Sequence, residues 1–195
     1  MMMNTILIRY LRPAAVIFGA LTFICGILYP LAVTGIGRAA FPDEASGSIV
    51  AHGGKAVGSA LIGQSFTAPR YVWGRPSATA TAPYNGMASG GSNVGPLNPA
   101  LADAVKTRIA ALRAADPANA APVPVDLVTA SASGLDPEIS LAAAYYQAGR
   151  VARARGADPA RVEALIDAHA QRPLLGVFGE ARVNVLALNL ALDTL

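Results

Sequence analysis

The sequence has one cysteine, Cys25, one tryptophan and two histidines, His52 and His169, among 195 residues. A lone cysteine inside the most apolar stretch can form neither an internal disulfide nor a thiolate cage for a metal. Two histidines leave little material for a catalytic metal or a general base. No phosphate loop of the G-x-x-x-x-G-K-[ST] type occurs, because Gly54-Lys55 is followed by Ala56 and lacks the upstream spacing. There is no H-E-x-x-H, no G-x-S-x-G, and no cysteine and histidine pair in the polar part of the chain. These absences argue against an active site of the chain's own. The formal charge is only +3, and once Arg9 and Arg12 are set aside the remainder is close to neutral, which excludes the electrostatic footprint of a nucleic-acid binder. Arg150, Arg153, Arg155 and Arg161 are expected on the solvated side of a helix.

What the sequence does have is a run from Pro13 to Ile36 without a charge, long enough to cross a hydrocarbon core about 30 Å thick as a helix. Its Leu, Ile, Phe and Val number about eleven and favour insertion by roughly 3 to 6 kcal/mol before glycine and Pro30 subtract from it. A secretory signal has a shorter core and a small-residue cleavage site, for which Gly37-Arg38-Ala39-Ala40 is a poor substitute. Arg9, Arg12 and the amino terminus on one flank, against Arg38 with Asp43 and Glu44 on the other, keep the N-terminus inside. The expected organisation is a cytoplasmic N-terminus, 1–12, a transmembrane helix, 13–36, and a periplasmic domain, 37–195, in a single-pass protein of a bacterial inner membrane. One helix cannot enclose a pore, and there is no T-V-G-Y-G-type filter. Ala15, Gly19, Thr22 and Gly26 recur at helical spacing, a small-residue face that lets a partner helix approach closely. Pro30 is expected to kink the outer third or to mark its interfacial end.

Beyond the span, Ser48-Ile49-Val50 and Lys55 to Ile62 read as strands broken by glycine turns. Residues 75–98 are dense in Gly, Pro, Ser, Thr and Asn, which makes a long loop and a candidate contact surface. Asn98-Pro99 pairs an N-cap with proline at the first helical position, and Leu101, Val105, Ile109 and Leu112 share one face of the helix that follows, to Asp116-Pro117. Val125 to Thr129 suits a strand or the rim of a loop. Asp136-Pro137 and Asp158-Pro159 repeat the cap-then-proline signal and open two further helices, the first ending near Gly156 and the second before Pro173. In the second, Val162, Leu165, Ile166 and His169 share a face, with the histidine a core or edge residue rather than a ligand. Arg182 to Leu195 suits a helix or a terminal strand. The fold class expected is an α+β soluble domain anchored by one N-terminal transmembrane helix.

Several segments are similar to the C subunit of the Kdp potassium-transporting ATPase: Gly58-Ser59-Ala60-Leu61-Ile62-Gly63-Gln64, Gly74-Arg75-Pro76-Ser77-Ala78-Thr79, Ala88-Ser89-Gly90-Gly91-Ser92-Asn93, Asp126 to Asp136, and the closing Val183-Asn184 with Leu188 to Asp193. The resemblance covers nearly the whole chain. It implies a subunit of a high-affinity potassium importer whose partners are a channel-like potassium-translocating subunit, a P-type ATPase subunit and a small single-helix subunit. It implies no catalysis by this chain, which fits the absence of D-K-T-G-T, and no cofactor or metal held firmly, with ATP reached through the ATPase subunit.

The family's C subunit is described as an assembly factor and a catalytic chaperone that raises the ATP affinity of the pump. A direct nucleotide contact is implied through Ser89, Gly90 and Gly91, which resemble the S-G-G core of the signature loop of transporter ATPases. Such a loop turns main-chain donors toward an anion. Here Ala88 precedes it and Ser92 follows it, so the motif is incomplete, and a tight turn needing positive φ is the competing account. The charge bias also puts the loop on the far side of the membrane from ATP. A domain that prefers one conformation of the pump would change its nucleotide affinity by linkage instead. The alternative role is a periplasmic filter or ion-collecting domain, for which Asp126, Asp136 and Glu138 are the nominated carboxylates. Their ordinary account is a helix cap at Asp136 and a first-turn position at Glu138.

Overall fold

In a computed structural model, the structure describes residues 2–195, with side chains from Arg9 onward. The expected cytoplasmic segment 1–12 therefore lies partly outside the described residues. The chain divides into two compact units, Met1–Ser48 and Ile49–Leu195.

The first unit is helical from α1 (Met2–Phe23) through a π turn (Ile24–Leu28) into α2 (Tyr29–Ala40), followed by the short α3 (Pro42–Ala45). Over Arg9–Ala40 it is long and apolar enough to cross a membrane. Pro30 does not end the helix. The Tyr29 N–H reaches back to the Ile24 carbonyl, a wider i to i+5 turn, and such a turn makes room for a proline that brings a ring and no donor.

The second unit begins with an antiparallel hairpin, β1 (Ile49–His52) and β2 (Lys55–Ser59), turned at Gly53-Gly54. After a long irregular stretch come α4 (Pro99–Ala115), β3 (Glu138–Ser140), α5 (Leu141–Arg155), α6 (Pro159–His169), β4 (Ala170–Gln171), β5 (Arg182–Asn184) and α7 (Val185–Leu192). The second sheet is antiparallel in the order β3-β5-β4. The unit is thus mixed helix and sheet. Its core is made by α5, α6 and α7 with β3 and β5, where Val151, Val162, Ile166, Val183, Leu188 and Leu192 are fully buried. Ala143, Ala144, Ala148 and Ala152 of α5 are buried too, small side chains that let its neighbours come close.

Caps behave as their chemistry dictates at Asn98 and Asp158, whose side chains accept the N–H of Ala100 and Ala160 at 3.0 and 2.9 Å. The expectation fails at Asp136-Pro137, which opens no helix. Residues 138–140 instead pair with 182–184, and α5 starts at Leu141, capped by the Ser140 hydroxyl accepting from Ala143 N at 3.0 Å. The ladder satisfies the same backbone groups that an extra helical turn would have used. Ser140→Ala is therefore expected to cost about 1 kcal/mol in chemical denaturation, as loss of a cap does. Val125–Leu127 forms a single 3-10 turn, and the terminal segment is both strand and helix, β5 running directly into α7.

Of the four arginines expected on a solvated face, Arg153 and Arg161 are exposed, whereas Arg150 and Arg155 turn inward. Arg150 is only 4% exposed. It donates to the carbonyls of Pro69 and Tyr71 at 2.6 and 3.1 Å and to Gln147 at 2.6 Å, and it stacks 4.3 Å from the Trp73 ring centroid. Burial lowers its pKa to about 10, opposed by the charge of Asp116, so it stays cationic at neutral pH. Arg155 binds the Leu192 carbonyl and Asp193 at 2.6 and 2.9 Å, and Arg153 pairs with the buried Asp116. Two amides complete the clamp. Asn189 bonds both backbone groups of Val72, at 2.8 and 2.9 Å, and Gln147 bonds both of Trp73, at 2.9 and 3.1 Å. The segment 69–73, a turn at Pro69-Arg70 followed by backbone that belongs to no strand, thus has side chains where a strand would have a neighbour.

Candidate functional site

The segments that carried the resemblance are distant in sequence, and the fold joins them. Gly63 N donates to Leu135 O at 2.9 Å, Ser131 N to Pro76 O at 3.0 Å, and Gly90 N to Ser133 O at 2.8 Å. Ser77 is the hub: its hydroxyl donates to Gly134 O at 2.7 Å and accepts from Tyr84 N at 2.8 Å. Tyr84 in turn donates its phenol proton to Arg75 O at 2.5 Å. Burial, reinforced by Asp136, raises the pKa of that phenol, with Arg75 opposing, which keeps the proton needed for the bond.

Ser89, Gly90 and Gly91 lie on this surface, but the Ser89 hydroxyl and the Gly90 N–H already have a partner. The Ser89 hydroxyl donates to Ser133 O at 3.0 Å, the same carbonyl that accepts the Gly90 N–H. Neither glycine has positive φ, which corrects the turn reading. Glycine at 91 is required by close approach, since a Cβ there would sit 2.9 Å from Ala132 O. Positive φ belongs to Gly134 opposite, at +68°, where a Cβ would come within 2.5 Å of Thr79 Cγ2 and 2.8 Å of Gly90 O. The loop is a packed seam between 88–91 and 132–134.

Beside the seam is a cleft of about 350 Å³ lined by Arg75, Asp126, Asp136, Glu138, Glu180 and Arg182, among others. The three nominated carboxylates do come together here, each with a partner. Asp136 accepts from Arg75 at 3.0 Å and from Glu138 N at 3.0 Å, an Asx turn rather than a helix cap. Glu138, in a strand and not in a helical first turn, pairs with Arg182 at 2.7 Å. Asp126 accepts from Ser140 N at 2.8 Å. Among the described residues no group of His, Cys, Asp and Glu is arranged to hold a metal. The Arg75 Nε atom is buried without a hydrogen-bond partner among the described residues. His169 bonds the Leu165 carbonyl through Nδ1 at 2.8 Å, an edge residue of α6. The two arginines of the cleft were missed in the sequence because their partners lie far along the chain.

In the first unit Ala15, Gly19, Thr22 and Gly26 are all exposed. Nothing lies within 4 Å of a Cβ built at Gly19 or Gly26. Gly26 falls inside the π turn, where the extra residue per turn shifts the phase of the stripe.

A family described as K+-transporting ATPase, c chain (KdpC) matches residues 11–194. The chain is 68% identical over 183 residues to a protein of Variovorax paradoxus (strain S110), covering 94% of this chain and 95% of that one. It is 65% identical to one of Herminiimonas arsenicoxydans, covering 94% and 96%. Against one of Sorangium cellulosum (strain So ce56) it is 60% identical over 187 residues, covering 96% and 98%. Each of the three is named as a potassium-transporting ATPase KdpC subunit.

Proposed function

The chain belongs to the family of the K+-transporting ATPase c chain, and from that premise we propose that it is a non-catalytic accessory subunit of an ATP-driven potassium importer. It stabilises the assembly of a channel-like subunit, a P-type ATPase subunit and a small single-helix subunit in the bacterial inner membrane. The N-terminus is cytoplasmic and the α+β unit periplasmic. The observation that carries this reading is the seam itself. Segments 58–64, 74–79, 88–93 and 126–136 are spent on one another, with the Gly90 N–H and the Ser89 hydroxyl both committed to Ser133. A surface built this way can present a fixed shape to another subunit.

The catalytic-chaperone role then works by linkage. A domain that binds one conformation of the pump better than another raises the affinity of that conformation's ligands by the same factor, roughly 5- to 150-fold in typical couplings. An ion-collecting role is less well supported, because the three carboxylates nominated for it, Asp136, Glu138 and Asp126, already accept from Arg75, Arg182 and a backbone N–H respectively. Extraction of the full chain in mild detergent is expected to bring a multi-span channel-like protein and an ATPase with it, and the pump lacking the chain is expected to need several-fold more ATP for half-maximal hydrolysis. A chain that comes out alone, or a pump whose ATP dependence ignores it, would contradict the reading.

A further inference from the structure

Between β4 and β5 the chain makes a small hairpin that contributes nothing to the core. Leu174 and Phe178 exchange backbone hydrogen bonds at 2.9 and 3.0 Å, and Gly176 N closes onto Pro173 O at 3.0 Å. Its four large apolar side chains, Leu174, Leu175, Val177 and Phe178, are 69, 82, 76 and 67% exposed. A cluster of this kind on a soluble surface marks a contact. Leu175 adds a second sign, because it holds φ at +55°, a backbone position that glycine or asparagine fills more easily. Leucine there strains the backbone, and its exposed side chain returns no burial among the described residues.

We propose that this hairpin is a docking knob that enters an apolar pocket on another subunit of the pump, a pocket whose rim carries cationic or hydrogen-bond-donor groups. The proposal rests on the reading above that the chain is an assembly subunit. Charge decides between a protein pocket and a lipid surface. The strand leaving the knob leads through Glu180 to Arg182, both of which line the cleft, and that cleft brings together four carboxylates, Asp126, Asp136, Glu138 and Glu180, against two guanidiniums, Arg75 and Arg182. Anionic headgroups would meet excess negative charge there, whereas a donor-rich protein rim would be attracted to it. The short closed hairpin is also pre-shaped, which favours a pocket of fixed form and gives no advantage in fluid lipid.

The test places a photo-crosslinking phenylalanine derivative at Leu175 of the full chain, expressed with the rest of the pump. A crosslink to another pump subunit is expected. Adducts with lipid alone, or none, in a complex that still co-purifies would overturn the knob and leave the assembly reading intact. Failure to co-purify even without the substitution would overturn both. As a second arm, Leu175→Gly with Phe178→Ser is expected to lower retention of the chain in the complex by 10-fold or more, as loss of an interface anchor does. Its unfolding midpoint should not fall, since glycine accepts the left-handed backbone. A lowered midpoint would assign these side chains to folding and sink the proposal.

Discussion

Arg150→Ala is expected to destabilise the second unit by about 3 to 5 kcal/mol, the scale for removing one member of a buried, hydrogen-bonded charged network. The guanidinium is the donor to the carbonyls of both Pro69 and Tyr71, and leaving such groups dry costs about 1 to 3 kcal/mol each. Loss of the stack on Trp73 adds to this. Arg150→Lys should recover part of the loss, because an ammonium keeps the charge but cannot span both carbonyls and Gln147 in one plane. Trp73 is the only tryptophan and lies against the site of change, so its fluorescence follows denaturation directly. A cost under about 1 kcal/mol, the level of an ordinary surface position, would return Arg150 to the solvated face that the sequence suggested.

Gly134→Val should open the seam. Its φ of +68° costs a side chain roughly 1 to 2 kcal/mol. The new Cβ would also press on Thr79 Cγ2 and on the Gly90 carbonyl, a backbone atom that cannot swing away, and overpacking adds typically 1 to 3 kcal/mol. The expected total is about 2 to 5 kcal/mol by denaturation, together with reduced recovery of the chain in the complex. Gly90→Ala is the contrasting variant. The nearest atom to its Cβ is Ala88 O at 3.9 Å, so stability and ATP dependence should both stay near wild type. A phosphate-cradling loop would behave the opposite way, with substitution at Gly90 impairing ATP use while the fold survived. Denaturation and the ATP dependence of hydrolysis, measured on the same two variants, separate these outcomes.

Local chemistry made much of this fold legible. The uncharged run before Arg38, the proline-headed caps at Asn98 and Asp158, and the apolar face of Val162, Leu165 and Ile166 each depend on neighbours within a turn or two. What was not legible depends on distant partners. Asp136-Pro137 has the spelling of a helix start, yet Arg182–Asn184 claims residues 138–140 as a strand. The arginines of α5 have the spacing of a solvated face, but the polar groups of 69–73 draw Arg150 inward. Ser89-Gly90-Gly91 has the spelling of an anion loop, and only the approach of 132–134 reveals where the Ser89 hydroxyl and the Gly90 N–H go. The site segments were recognisable as a set; nothing in their spacing said that Ser77 and Ser133 would join them.

The account's central claim is that the seam acts from the side of the membrane away from ATP, through its hold on other subunits. Its most direct test is labelling of a cysteine placed by Ser89→Cys, an exposed position, in a Cys25→Ser background, with a membrane-impermeant maleimide added from the periplasmic side of intact cells. Labelling from outside is predicted, and it would make direct contact of this loop with cytoplasmic ATP untenable. Labelling only after the inner membrane is opened would contradict the claim and put Ser89, Gly90 and Gly91 within reach of the nucleotide.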